Sequence, residues 1–396
     1  MNEEQRYIRK RIWKARFQSI PFYLFRIFPV QKKKIVFCCI EGTTGYTCNP
    51  KYIAEELLRR KTDTQLVWLA DDVSKIFPKE IHVVQNTLWN RAYHLSTARI
   101  WIDNSRKQLE VRKRRGQIYI QTWHAKLGFK PTCLDRGASF SRIAYLVSRH
   151  DSDMIDYVLS NSKWYDDTLP TGMIYEGPVL RTGSPRCDIL VRDRTERKAQ
   201  IRDQYGLSGD VKILMYAPTF RGGSQGTDRT ITAEQRFPDY RCLVHALETR
   251  FGGRWHVFLR LHPQLTARNL DRGTEEESVT DVSRVDDLYE LLAGCDAFLT
   301  DYSSAAFDAA VMRIPVFLYA DDYADYEGER GKLLWDLREL PFPLAENDRE
   351  LEQRIKQFDE ETYLDRLERL FCETEMVEDG RAAEHVADLM EKMMRI

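Results

Sequence analysis

The sequence predicts an α/β protein of two domains, each built on a parallel β-sheet. Short apolar runs alternate with stretches of helical period along most of the chain, the pattern of strands joined by crossover helices. A fresh buried run, Lys212-Ile213-Leu214-Met215-Tyr216, opens after a turn-rich segment and a charged helix, so the alternation starts again halfway. The length of 396 residues exceeds what one ordinary core accommodates.

Residues 1–34 precede the first strand and read as a basic amphipathic arm. Between Arg6 and Lys34 there is no Asp or Glu. Ile8, Ile12, Trp13, Phe17 and Ile20 recur at helical spacing, with Arg9, Lys10, Arg11, Lys14 and Arg16 between them. Pro21 breaks that helix, and 22–30 is a second apolar piece closed by Lys32-Lys33-Lys34. Basic helices carrying Trp and Phe suit the surface of an anionic membrane. The same pattern fits a helix packed on its own domain with a solvated basic face. Membrane-surface contact is the expectation adopted.

The first domain, 35–188, is expected to hold strands at 34–40, 66–69, 81–84, 98–103, 117–123 and 157–160, with helices at 51–60, 88–97 and 164–169. The Gly- and Pro-bearing segment 178–188 reads as the lead into the second domain, 189–375, which opens with a helix at 192–205. Its strands are expected at 212–216, 255–261, 278–281, 297–300 and 316–319, and its helices at 241–250 and 286–293. Long charged helices at 349–375 and 381–395 close the chain, the last within a separate segment, 376–396.

Formal net charge is −1, with 31% charged and 43% hydrophobic residues, which argues for a soluble protein and against a general nucleic-acid binder. The eight cysteines include no Cys-x-x-Cys pair and read as reduced, buried thiols rather than disulfides or zinc ligands. No apolar run is long enough to span a bilayer, and no signal peptide is expected.

Polar chemistry collects where strands end, the place at which open parallel sheets bind ligands. His124 follows the apolar run Ile118-Tyr119-Ile120-Gln121-Thr122-Trp123. It reads either as a general base or as a structural histidine satisfied by a carbonyl. In the second domain three strand ends carry Arg221, then Arg260-Leu261-His262-Pro263, then Thr300-Asp301-Tyr302-Ser303-Ser304. The last leads into a small-residue helix, whose free N–H groups suit an anion, although Asp and Ser are also ordinary caps. Two arginines, a histidine and a serine-lined turn describe a pocket for a diphosphate. There is no GxxxxGK[ST] and no GxGxxG after a strand, which argues against P-loop and dinucleotide enzymes. No Asp-x-Asp stands at a strand end to hold a metal, so no metal or other cofactor is assigned.

The chain resembles the CDP-glycerol glycerophosphotransferase family, the wall teichoic acid primases and polymerases. The resemblance rests on Tyr46…Asn49-Pro50-Lys51, Gln121-Thr122-Trp123-His124, Gly183-Ser184-Pro185-Arg186, Ala217-Pro218-Thr219-Phe220-Arg221, Arg260-Leu261-His262-Pro263 and Thr300-Asp301-Tyr302-Ser303-Ser304 with Phe307-Asp308. It covers most of the chain after about residue 35. It implies a GT-B-like architecture of two Rossmann-like domains facing across a cleft, often with the C-terminal helix returning to the first. It also implies transfer of a polyol phosphate, glycerol phosphate first and ribitol phosphate second, from a CDP-polyol to a lipid-linked or polymeric acceptor hydroxyl, with release of CMP. A GT-B glycosyltransferase using a UDP-sugar is the further alternative.

By the same resemblance His124 would be the general base and His262 would stabilise the leaving charge. Arg221, Thr300, Ser303 and Ser304 would hold the donor, with Asp301 orienting the turn and Arg260 supporting it. Lys51, Lys126 and Arg186 are further candidates for acceptor or phosphate contacts. The resemblance places the protein peripherally on the cytoplasmic face of a bacterial membrane. Family members commonly carry Gly-Thr-Pro after the Trp-His pair; here the residues are Ala125-Lys126-Leu127-Gly128, on the acceptor side.

Overall fold

The computed structural model describes residues 3–40, 43–219, 237–261, 276–324, 326 and 332–394. The chain divides into two compact units. The first comprises Met1–Lys126, Pro131–Asp188 and Thr374–Ile396, and the second Leu127–Lys130 and Ile189–Glu373.

The first unit is built on seven strands: β1 Gln31–Cys38, β2 Gln65–Ala70, β3 His82–Gln85, β4 Ala98–Asp103, β5 Ile118–Gln121, β6 Tyr157–Ser160 and β7 Val179–Arg181. Their order is β3-β2-β1-β4-β5-β6-β7, and every pairing is parallel. The order reverses between β1 and β4, which opens a crevice at their carboxyl ends. One face packs Phe37, Trp68 and Ile102 against Ile53 and Leu57 of the helix Cys48–Arg59, and against Val386 and Met390 of the helix Ala382–Met394. The C-terminal helix is therefore part of the first core. Its first turn is fastened by Asp188, whose carboxylate accepts from the backbone N–H groups of Ala382 and Ala383, each at 2.9 Å.

The other face buries Trp101, Tyr119 and Val158 with Leu95 of the helix Leu88–Thr97. Phe22 joins this core from the arm. The arm consists of the helix Glu3–Gln18, the short helix Ile20–Leu24 with Pro21 in its first turn, and a 3₁₀ turn at Phe25–Ile27. Proline is tolerated there because the first-turn N–H groups need no helical partner. Phe22 is fully buried, and burying such a ring contributes about 1.5–3 kcal/mol. Trp13, Phe17 and Ile20 stay exposed.

The second unit holds β8 Lys212–Tyr216, β9 Trp255–Leu259, β10 Val279–Asp281, β11 Ala297–Thr300, β12 Val316–Tyr319 and β13 Leu344–Ala345. They lie in the order β10-β9-β8-β11-β12-β13, again parallel throughout. The strand order is that of a Rossmann sheet, with its switch between β8 and β11.

Several expectations change. The segment 178–188 is not only a connection, since Val179–Arg181 completes the first sheet, pairing Leu180 with Leu159. The predicted helix 349–375 is two helices, Asp348–Lys356 and Glu360–Glu373. Asp359 divides them by accepting from the Thr362 N–H at 2.8 Å. Residues 127–130 group with the second unit. There the Phe129 ring lies 4.9 Å from Phe307, and its carbonyl accepts from the Leu334 N–H at 2.8 Å. The cysteines are unbridged, and Cys242 and Cys372 are exposed rather than buried.

Candidate active site

β5 ends at Gln121, and the chain then makes a strained turn. Trp123 has φ +50°, a left-handed conformation that costs a bulky residue on the order of 1–3 kcal/mol. The turn persists because side chains occupy the backbone groups around it. The Trp123 N–H donates to Gln121 Oε1 at 3.0 Å. Asn49 Nδ2 donates to the carbonyls of Thr122 at 3.3 Å and Trp123 at 2.8 Å. Arg186 Nη1 donates to the His124 carbonyl at 2.7 Å. The Arg106 guanidinium lies 5.3 Å from the Trp123 ring, a cation–π contact. Beneath it, Gln121 Nε2 donates to the Tyr119 hydroxyl at 2.8 Å, which donates to Asp151 at 3.1 Å.

The product of this bracing is the half-buried imidazole of His124. Its Nδ1 lies 2.6 Å from the Asn104 carbonyl oxygen, so Nδ1 carries the proton and Nε2 presents its lone pair. Burial lowers the His124 pKa, opposed by the carbonyl of Asn104 and reinforced by nearby Arg186. A neutral imidazole with fixed tautomer is the form a general base requires.

Asn104 also ties the two strands of the switch together. Its Oδ1 accepts from the Ile40 N–H at 2.7 Å, and its Nδ2 donates to Cys39 Sγ at 3.1 Å. Cys48 lies beside this group, with Arg186 Nη1 at 3.5 Å from its sulfur. A hydrogen bond from the Cys39 thiol holds Cys48 well below the ordinary thiol range, with Arg186 adding to the effect.

Lys51, Lys126 and Arg186 are all buried, and their charged ends are engaged within the unit. Lys126 Nζ donates to the Gly183 carbonyl at 2.9 Å and Ser184 Oγ at 3.0 Å. Lys51 Nζ lies 3.9 Å from Glu55 and 5.0 Å from the Tyr52 ring. Arg186 holds the His124 carbonyl. Lys126 and Arg186 brace the turn and its neighbouring loop, while Lys51 lies against Glu55 and Tyr52 of its own helix. The glycine of that loop is required twice over. Gly183 has φ +86°, and a Cβ would stand 3.0 Å from the Val377 carbonyl.

In the second unit, Thr300-Asp301-Tyr302-Ser303-Ser304 closes β11. The Asp301 carboxylate accepts from the Thr219 N–H at 2.9 and 3.0 Å and from the Tyr302 N–H at 2.6 Å. Thr300 Oγ1 donates to the Ala217 carbonyl at 2.6 Å. Asp301 and Thr300 thus fasten the two strand ends of this switch point to each other. Arg260 is likewise turned to the backbone, donating to the carbonyls of Val282, Val285 and Asp286 at 3.3, 2.6 and 3.3 Å.

Ser303 Oγ accepts from the Ala305 N–H at 3.3 Å, and Ser304 is the N-cap of Ala305–Ala310 without a side-chain cap bond. That helix has six residues, so its dipole is short. Both serines are half-buried at the turn. Arg221 and His262 lie outside the described residues. Among the described residues no cluster of His, Cys, Asp and Glu is arranged to hold a metal ion.

The family described as CDP-Glycerol:Poly(glycerophosphate) glycerophosphotransferase matches residues 20–392. The chain belongs to this family. The teichoic acid poly(glycerol phosphate) polymerase of Staphylococcus epidermidis is 27% identical over 380 residues, 92% of this chain and 51% of the relative. The chain therefore spans about half the length of that protein. The teichoic acid ribitol-phosphate polymerase TarK of Staphylococcus aureus is 26% identical over 379 residues, 88% of this chain and 70% of the relative. Among solved structures, a variant of the wall teichoic acid polymerase TagF soaked with CDPG superposes with a TM-score of 0.81. It is 25% identical, and the match covers 99% of this chain and 97% of that one. The GT-B-like class expected for this glycerophosphotransferase family member is thus the class of its fold.

Asn49 and Asn104 are the residues that sequence reasoning passed over as site components. Asn49 lies within the Tyr46…Asn49-Pro50-Lys51 motif, but nothing in that motif shows that its amide faces the turn after β5.

Proposed function

We propose that this protein transfers glycerol phosphate from CDP-glycerol to a hydroxyl of a lipid-linked or polymeric acceptor, releasing CMP. The acceptor oxygen attacks the phosphorus bearing the glycerol, and the bond from that phosphorus to the bridging oxygen breaks. His124 Nε2 takes the hydroxyl proton as the new bond forms. The second unit binds the donor at the Thr300–Ser304 turn, with Arg221 and His262 assigned from sequence to the diphosphate and the departing charge. The observation that carries this reading is the His124 imidazole. It is neutral, fixed in tautomer by Asn104, and set at a strand end in a chain of this family.

A ribitol donor is the second reading, favoured by the similarity to TarK. The deciding measurement is nucleotide release with a lipid-linked polyol phosphate acceptor: CMP from CDP-glycerol or CDP-ribitol, and UDP from a UDP-sugar control. CMP from CDP-glycerol well above the other donors is expected. Turnover of the UDP-sugar alone would overturn the reading.

The same reading places the protein peripherally at the cytoplasmic face of a bacterial membrane. Among the described residues no helix is long and apolar enough to cross one. The arm supports surface attachment: Trp13, Phe17 and Ile20 are exposed beside Arg9, Lys10 and Lys14. Deleting residues 1–19 keeps Phe22 and its core contacts. The deletion is expected to weaken sedimentation with anionic vesicles, and salt is expected to weaken the intact protein's binding in the same way. Unchanged sedimentation would remove the arm from the proposal.

A further inference from the structure

We propose that Asn49 is a positioning residue for catalysis, the clamp that sets the imidazole of His124. The inference rests on the reading of His124 as the general base. Asn49 occupies the first turn of Cys48–Arg59 and is buried. Its single amide meets three backbone groups from two other segments. Nδ2 donates to the carbonyls of Thr122 and Trp123 at 3.3 and 2.8 Å, and Oδ1 accepts from the Arg186 N–H at 3.1 Å. The opposite amide orientation would set oxygen against two carbonyl oxygens and NH₂ against N–H, so the orientation is determined by its partners.

Two consequences follow for the base. The Trp123 carbonyl belongs to the peptide that joins Trp123 to His124, and Trp123 is the strained residue at φ +50°. Holding that carbonyl therefore fixes the direction in which the His124 backbone leaves the turn. Through Oδ1, Asn49 also positions the residue whose guanidinium holds the other side of His124, Arg186 Nη1 to the His124 carbonyl at 2.7 Å. One amide thus governs both peptides flanking the base. Asn104 independently holds the ring. Strained residues persist where surrounding groups over-determine them, and such sites coincide with functional geometry. A misplacement of about 1 Å in a reacting group costs about 10²-fold in rate.

The test is a double-mutant cycle on the full chain with CDP-glycerol and a lipid-linked acceptor, comparing wild type, Asn49→Ala, His124→Ala and the double variant. Asn49→Ala is expected to lower kcat by about 10²-fold, with the donor KM little changed. The acid limb of its pH–rate profile should rise, because a loosened ring is better hydrated than the buried one. In the His124→Ala background the same substitution should cost nothing further, since its effect passes through the base.

Multiplicative losses in the double variant would overturn the inference, as would full kcat in Asn49→Ala. A fall in kcat with the acid limb unmoved would also overturn it, marking a purely structural role. If Asn49→Ala lacks a cooperative melting transition, Asn49→Ser keeps a small polar side chain that hydrogen-bonds locally in the first helical turn but is too short to hold the Trp123 carbonyl. It should melt normally and show the same kcat loss; normal kcat there overturns the inference. Full turnover in His124→Ala would overturn the base assignment and this inference with it. Multiplicative losses leave the base assignment standing.

Discussion

The two sheets share one strand order at their switch points and tie it with different side chains. In the first unit the ends of β1 and β4 are tied by a neutral amide, Asn104, whose carbonyl also orients His124. In the second, the ends of β8 and β11 are tied by a charged group, Asp301, which accepts from Thr219 and Tyr302. The first switch holds the His124 imidazole in one tautomer. The second leads into the helix Ala305–Ala310, in which Ala305, Ala306, Ala309 and Ala310 are all buried. Topology sets where a site can form; the residue that bridges the switch decides what the site can do.

This contrast predicts that damage to each switch has its own kinetic signature. The largest effect is expected from His124→Ala, a loss of about 10²- to 10⁴-fold in kcat, the usual span of general-base assistance. Donor affinity, measured by calorimetric titration with CDP-glycerol, should stay near wild type. A variant that binds donor poorly but turns over normally would reverse the assignment. Asp301→Ala should do the converse on a smaller scale. Removing the carboxylate leaves the Thr219 and Tyr302 N–H groups without that acceptor, at about 1–3 kcal/mol each for a buried group. The turn would relax, and donor KM should rise about ten- to a hundredfold. An unchanged KM with a depressed kcat would mean that the two switches are not divided in this way.

The parts legible in the sequence are those written in side-chain pattern. The continuous apolar runs at Val36, Trp68, Leu214 and Phe298 mark central strands, because strands of a parallel sheet are covered on both faces. The strand end bearing His124 follows from the same runs. What escaped detection has other causes. β7 and β13 have three and two residues, too few to establish a period, and β7 sits in a turn-rich composition. The break at Asp359 is written in local capping chemistry, which the charge pattern of 349–375 obscures. The family resemblance offers Lys51, Lys126 and Arg186 as acceptor or phosphate contacts. A sequence carries no direction for a side chain, so the contacts of these three with Glu55, a ring face, carbonyls and a hydroxyl are not legible in it. Asn49 and Asn104 were passed over for the complementary reason: their partners lie 73 and 20 residues away in sequence.

The smallest expected effect, and the most specific to the first switch, is on pH. A general base works deprotonated, so turnover falls as pH drops through its pKa in the donor-bound enzyme. An ordinary histidine would place that limb near 6.5. Burial of the His124 ring penalises the imidazolium, and the Arg186 charge adds to the penalty. The Asn104 carbonyl favours the imidazolium by accepting from Nδ1, and Cys48 and then Asp103 favour it through charge alone, but the net direction is down. The acid limb of kcat should therefore lie below the ordinary value, leaving the base fully competent at neutral pH. His124→Ala should abolish the limb. Arg186→Lys removes the planar donor fork from the His124 carbonyl while keeping the charge, so it should lower kcat and, by loosening the ring, raise the limb as Asn49→Ala does. A wild-type limb above 6.5 would mean that a carboxylate or the donor's own phosphate sets the proton affinity of the ring. Control of the base would then lie with groups outside the Asn104–Asn49–Arg186 bracket, and the contrast between a neutral and a charged switch would lose its functional meaning.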